Sequence, residues 1–269
     1  MKIIDITFDL ETTSLSADAA ILQIGAVAWD STSHGKSPFF DFGDNDVKEL
    51  HDAMEDRCMY LRNFSLAEQY LAGCDIDKDT QRWWSQQDKV VRAYLFNDYL
   101  HNVAESLHEF FDFMRKVRNQ TDADAFNLWC QGPDTDIAIL KMAAKRFLNI
   151  KPHDFPVKHT RFRDCRTVIL TYGVQYMMDH AVKMNTEDDD FGLAALNAKQ
   201  NKLYDEYTKD PNVVYNYLPL LPEAITNNID VFSTAKAHNA LYDAVLSSWN
   251  TWCVLQNYDA PEKSPENNK

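Results

Sequence analysis

The segment Ile3-Ile4-Asp5-Ile6-Thr7-Phe8-Asp9-Leu10-Glu11 limits the fold more than any other. Ile4, Ile6, Phe8 and Leu10 alternate with Asp5, Thr7, Asp9 and Glu11, a period of two that predicts a half-buried β-strand. Alternate strand residues share a face, so Asp9 and Glu11 project together from the side opposite the apolar set. Two neighbouring carboxylates raise each other's pKa unless a cation sits between them. A divalent metal would offset the cost of placing both at the end of an otherwise apolar strand. The plain alternative is a solvated strand end running into Thr12-Thr13-Ser14.

Residues 21–29 read as a second strand, residues 31–35 as turn chemistry and residues 39–42 as a third strand, giving an antiparallel meander. From about Asp98 the period changes to that of a helix, carried by Leu100, Val103, Leu107, Phe110 and Met114. A short apolar strand at 125–130 is broken by Gly132-Pro133, and Ile137, Leu140, Ala144 and Phe147 mark the next helix. A fifth strand is expected within 159–165, followed by a helix through Val168, Ile169 and Tyr172. Residues 43–80 are charged and mixed, and residues 173–235 are the least periodic part. Both are expected to be elaborations on one core. A last helix follows Ala240. Strands first, then helices alternating with strands, indicate a layered α/β or α+β fold.

Composition narrows the function classes. The chain has 269 residues, a formal charge of −14, and 45% hydrophobic residues, enough for a proper core. No apolar run approaches the roughly 18 residues of a membrane helix, and Asp5 arrives too early for a secretory leader. Five scattered cysteines point to free thiols in a reducing, cytoplasmic setting. A protein coating duplex nucleic acid draws its affinity from many Lys and Arg contacts to phosphate, which this charge disfavours. Acidic partners remain possible through a small, metal-loaded site.

Two further clusters carry chemistry. His238 and Asp243 would lie about 140° apart if both were helical, so they converge only if His238 sits in the turn before the helix. Asp243, flanked by Ala240, Leu241, Ala244 and Val245, is close to a buried helix face, where acids are rarely left unpaired. In Gly132-Pro133-Asp134-Thr135-Asp136, Asp134 suits a helix N-cap, which leaves Asp136 in the first turn near the sheet edge. Asp9, Glu11, Asp136, Asp243 and His238 then form a set of oxygen ligands beside one imidazole. That donor set suits Mg²⁺ or Mn²⁺ rather than zinc. Two such ions can clamp both oxygens of a phosphoryl displacement while a histidine takes the proton from water.

Three segments carry a family resemblance. Phe8-Asp9-Leu10-Glu11-Thr12-Thr13, followed by Gln23-Ile24-Gly25-Ala26-Val27, resembles the first motif of the DnaQ-like 3′→5′ exonucleases. Trp129-Cys130-Gln131-Gly132-Pro133-Asp134-Thr135-Asp136-Ile137 resembles the second, selecting Asp136 over Asp134. His238-Asn239-Ala240-Leu241-Tyr242-Asp243-Ala244 matches the third, H-x-A-x-x-D-A, of the DEDDh branch. Thr80, Trp83-Trp84 and Arg163-Asp164-Cys165-Arg166-Thr167 are similar to a subgroup holding phage exodeoxyribonuclease A and related bacterial exoribonucleases.

The resemblance implies an RNase H-like fold, a central mixed five-stranded sheet flanked by helices. It forms one exonuclease domain over residues 1–258, with elaborations at 43–80 and 173–235 and a polar, frayed tail at 259–269. It implies removal of nucleoside 5′-monophosphates from the 3′ end of single-stranded nucleic acid, DNA rather than RNA, with an exoribonuclease of the same fold as the nearer alternative and a homodimer allowed. Asp9, Glu11, Asp136 and Asp243 would hold two Mg²⁺ or Mn²⁺ ions, and His238 would be the general base. Thr12, Thr13 and Leu15 would hold and wedge the terminal nucleotide, and Lys236 and Arg166 would contact phosphate. Trp84 would stack on a base or, equally well, sit in the core, and Trp129 is core. The rival class is a non-catalytic acidic decoy for a nucleic-acid-binding protein, whose acids would spread along one exposed face.

Overall fold

The structure is a computed structural model that describes residues 1–34, 37–40, 58–96, 100–183, 193–222, 225 and 238–256, with the backbone alone at 181–183, 193–197 and 199. It divides into two compact units, Met1–Cys165 with Leu221–Ser248, and Arg166–Leu220 with Trp249–Lys269.

The first unit is built on a sheet. Strands β1 (Ile3–Thr12), β2 (Ile21–Trp29), β3 (Met59–Phe64), β4 (Leu100–His101), β5 (Ala125–Cys130) and β6 (Phe162–Asp164) pair in the order β4-β3-β2-β1-β5-β6. β1, β2 and β3 are antiparallel neighbours, whereas β5 runs parallel to β1 and β6 parallel to β5. The sheet is mixed, as expected, but among the described residues it has six strands rather than five. The additional one is the two-residue edge strand β4, which takes Leu100 out of the helix that its periodicity suggested.

The third strand also lies elsewhere than the sequence implied. Phe39 makes one isolated bridge to Trp29, residues 41–42 fall outside the described set, and β3 is Met59–Phe64. All six residues of β3 are buried, two of them polar. Arg62 tolerates burial because its Nε–H donates to Glu109 at 2.8 Å. Asn63 accepts from Gln23 Nε2 at 2.6 Å and donates to the Tyr94 carbonyl at 2.7 Å. The expected fifth strand at 159–165 is confined to β6, since His159–Arg161 turn into a 3₁₀ helix.

β1 is buried on both faces rather than one. Ile4, Ile6, Phe8 and Leu10 meet Phe110 and Met114 of helix α4 (Val103–Gln120) and Ile137 and Leu140 of helix α5 (Asp136–Leu148). Each such side chain is worth about 1.5–3 kcal/mol when fully buried. Helices α1 (Leu66–Leu71), α2 (Lys78–Gln86) and α3 (Lys89–Phe96) precede them, and Trp84, Val91 and Leu95 pack on Leu22 in a satellite cluster. The polar face of β1 is covered as well. Asp5 accepts from Trp129 Nε1 at 2.6 Å and Asn127 Nδ2 at 2.9 Å, and Thr7 accepts from Trp29 Nε1 at 2.9 Å. Satisfied in this way, the polar residues of a central strand stay buried at little cost. Trp129 is core, as expected.

The second unit is helical, with residues of α6 (Cys165–Lys183), α7 (Leu193–Lys209), a 3₁₀ turn at Pro211–Tyr217 and part of α8 (Ala240–Gln256). Tyr207 donates to the Leu170 carbonyl at 2.7 Å, and Gly173 lies close enough to Val214 that a Cβ there would meet Val214 Cγ1 at 2.5 Å. None of the five cysteines is in a disulfide. Among the described residues no helix is long and apolar enough to cross a membrane.

Candidate active site

Strand register explains how distant residues come together. Asp9 pairs with Gly25 and Glu11 with Gln23, so these four share one face of the sheet. The register shifts between Glu11 and Thr12, a bulge-like irregularity where the strand leaves its ladder. On that face α8 begins. A Cβ added to Gly25 would stand 2.0 Å from the Leu241 nitrogen and 2.2 Å from the Ala240 carbonyl carbon. Only glycine lets the helix start approach the strand so closely. Gly25→Ala should therefore lower stability by about 3 kcal/mol and displace the first turn of α8. Urea unfolding and activity together check this, and a variant as stable and active as its parent contradicts it.

Hydrogen bonds fix the same junction. Gln23 Oε1 accepts from the Ala240 N–H at 2.7 Å, and the Asn239 side chain accepts from the N–H groups of Leu241 and Tyr242, each at 3.1 Å. Asn239 is thus the cap of α8. His238 stands just before it at φ 58°, in the left-handed region. The imidazole lies in the turn and Asp243 one turn inside the helix, the arrangement that their spacing required.

Asp9, Glu11 and Asp243 converge: one carboxylate oxygen from each lies within 4.8 Å of the others. Burial is the main cause of the rise in all three pKa values. It pushes Asp9 well above the usual carboxylate range, helped by the neighbouring charges of Glu11, Asp243 and Asp136. Glu11, 8% exposed, rises to about 8, with Asp243 and Asp136 adding to the effect. Asp243 rises to about 7, held back by the His238 backbone N–H. Acids packed this closely without a counter-charge oppose their own ionisation, and a divalent cation is the partner such a donor set fits.

Asp136 belongs to the same neighbourhood, since its charge acts on Asp9 and Glu11. It is the first residue of α5, and its N–H and that of Thr135 both reach the Gly132 carbonyl, at 3.0 and 2.9 Å. The N-cap of α5 is Thr135 rather than Asp134, which is exposed. The chain turns at Gly132, φ 148°, before it can enter the helix. Asp9 and Glu11 lie near the C-terminal end of β1, past Thr7, its last residue paired to the parallel strand β5, the side on which α/β folds place ligands.

The remaining expected residues divide. His238 is half-buried, and burial draws its pKa below 6.5. The Trp83 and Trp84 rings meet its imidazole edge-on, with centroids 4.8 and 6.0 Å away. Trp84 is 4% exposed and donates its indole N–H to the Thr12 carbonyl at 2.9 Å, so it belongs to the core rather than to a stacking surface. Its neighbour Trp83 is the exposed one and was missed as a site residue. Gln23 and Gly25, which the sequence marks only as part of the first motif, are the residues that seat the start of α8. A glycine inside a strand is the signal that could have singled out Gly25.

Thr13 is buried. Its hydroxyl donates to the Asp75 carbonyl at 2.8 Å and accepts from the Ala20 N–H at 3.1 Å, so it clamps the loop after β1. Thr12 donates to the Ser14 carbonyl at 2.8 Å, and Leu15 is 82% exposed. Arg166 is exposed and belongs to the second unit. Lys236 lies outside the described residues.

No curated protein matches the sequence. Among solved structures the chain is similar to cell-death related nuclease 4 (CRN-4), at 13% identity and a TM-score of 0.39. The likeness covers 94% of this chain, which spans 62% of the length of that one. Residues 5–205, about three quarters of the sequence, match the Rv2179c-like 3′-5′ exoribonuclease domain. The match is to a 3′→5′ exonuclease family, and the narrower likeness to phage exodeoxyribonuclease A does not come with it. On that match the chain belongs to the Rv2179c-like 3′-5′ exoribonuclease domain family.

Proposed function

We propose that the protein is a metal-dependent 3′→5′ exonuclease that removes nucleoside 5′-monophosphates from single-stranded ends, with RNA as its preferred substrate. The convergence of Asp9, Glu11 and Asp243 carries this reading, because one buried and two half-buried acids brought together from a strand and a helix serve no packing purpose. An acidic decoy would spread its charge over one exposed surface instead. The family's name favours RNA over the DNA expected from the phage-like motifs.

Asp9, Glu11, Asp136 and Asp243 would hold two divalent cations, Mg²⁺ or Mn²⁺. Bound there, these would neutralise the charge on the attacking and leaving oxygens of a phosphoryl displacement. The His238 imidazole, kept neutral near pH 7 by its burial, accepts the proton of the attacking water. Water oxygen bonds to phosphorus and the P–O3′ bond breaks. The leaving 3′ oxygen takes a proton, which yields the 5′-monophosphate and a strand one residue shorter. Leu15, which is exposed, would wedge the terminal nucleotide. As Thr12 and Thr13 donate their hydroxyls to carbonyls, they would position the strand through the loop's backbone.

End-labelled single-stranded RNA and DNA, incubated with Mn²⁺ or Mg²⁺, should both shorten from the 3′ end, RNA faster, and EDTA should stop both. A faster DNA reaction would restore the phage-like specificity. Shortening that survives EDTA would remove the metal mechanism.

A further inference from the structure

A cleft of about 560 Å³ opens beside the loop after β1, within the usual range for a small-ligand site. Residues of α2 and α3 line it, with Leu66, Trp84 and Phe96 among its apolar walls, and Thr13 and the α3 residues Lys89 and Arg92 also on its lining. Lys89 and Arg92 are three residues apart on a helix and so present one face. In a chain of net charge −14, neither has an acidic partner among the described residues. The Arg92 Nε–H is buried with no hydrogen-bond partner. A guanidinium left incomplete in this way is costly, and an anion in the cleft, paired with the charge of the same guanidinium, would offset that cost.

We propose that this cleft binds a nucleotide of the substrate strand upstream of the scissile bond, with its phosphate on Lys89 and Arg92. The proposal rests on the exonuclease reading above. A 3′→5′ exonuclease must place the scissile phosphate at the Asp9, Glu11 and Asp243 carboxylates. Cations standing apart from those acids must then engage a different phosphate, and in a strand degraded from its 3′ end every other phosphate lies on the 5′ side. Position supports the connection. Trp84, which lines the cleft, also meets the His238 ring and hydrogen-bonds Thr12, and Thr13 is two residues past Glu11. Leu66, Ala93 and Phe96 on the lining offer the accompanying base an apolar surface.

The test compares KM across oligonucleotides of two, four and ten residues, with Mn²⁺, for the parent and for Lys89→Ala/Arg92→Ala. In the parent KM should fall about tenfold from the dinucleotide to the longer strands, and the double variant should lose most of that gain. Its slope of log(1/KM) against log salt, measured on the ten-residue strand, should be shallower by about 0.7, one single-strand phosphate contact. A variant that keeps the parent's length dependence and salt slope overturns the proposal. So does a parent whose KM ignores length. A parent that cleaves no length at all would instead overturn the exonuclease reading, and the cleft's role with it.

Discussion

Asp9→Asn should abolish hydrolysis and, in EDTA, make the protein more stable than its parent. Metal clamps of this kind are worth several kcal/mol to the transition state, so losing one ligand should cost about 10³-fold or more in rate. The stability gain follows from the pKa values. Glu11 and Asp243 reach about 8 and about 7 in the fold, against ordinary values of 4.5 and 3.8, and Asp9 is raised with them. A carboxyl raised by folding holds its proton more tightly in the native state than in the unfolded chain. Its stabilising contribution is complete below about pH 4 and is lost as pH rises through about 7 to 8. The metal-free parent should therefore melt at a lower temperature at pH 8 than at pH 5, and Asp9→Asn should narrow that gap. Comparison with the variant separates the cluster from the repulsion among the chain's many other acids. Mn²⁺ should raise the parent's melting temperature at pH 8, as any ligand specific to the native state does, and the variant's much less. Equal responses to Mn²⁺ in the two proteins would remove Asp9 from the metal site.

What the sequence revealed of this site, and what it hid, divide along the range of the interactions. Asp9 and Glu11 were legible because a strand's period of two is local. Their relation to Asp243 rested on a motif, since the reason for it is a pairing between Asp9 and Gly25 and a helix lying on Gly25, residues far apart in the chain. β3 was illegible because Arg62 and Asn63 interrupt its apolar pattern. They are buried only because Glu109, Gln23 and Tyr94 meet them there. Residues 39–42 look more like a strand than β3 does, yet Phe39 contributes only a bridge. The two tryptophans make the same point. Adjacent helix residues differ by about 100° in direction, and only the tertiary packing decides that Trp84 is buried while Trp83 remains outside against His238.

His238→Gly should reduce kcat by about 10² to 10⁴, the usual worth of a positioned general base, with little change in KM or stability. Glycine is the informative substitution because His238 sits at φ 58°, where a side chain is disfavoured and glycine is at ease. The turn, the Asn239 cap and the first turn of α8 should therefore persist, so that a lost rate reports the imidazole and not a displaced helix. Burial holds the His238 pKa below 6.5, so the parent should keep its base in the neutral, proton-accepting form at pH 7 and lose rate only as pH falls through a more acidic value. The variant has no such group and should lack that part of the acid limb. Its vacated space adjoins the Trp83 ring, whose edge-on contact orients the imidazole in the parent. Free imidazole added to the assay should enter that space and recover part of the rate. If His238→Gly turns over as fast as its parent, the residue only shapes the turn and another group takes the proton. If the rate falls with the acid limb unchanged and no rescue by imidazole, His238 is needed for geometry and not as the base.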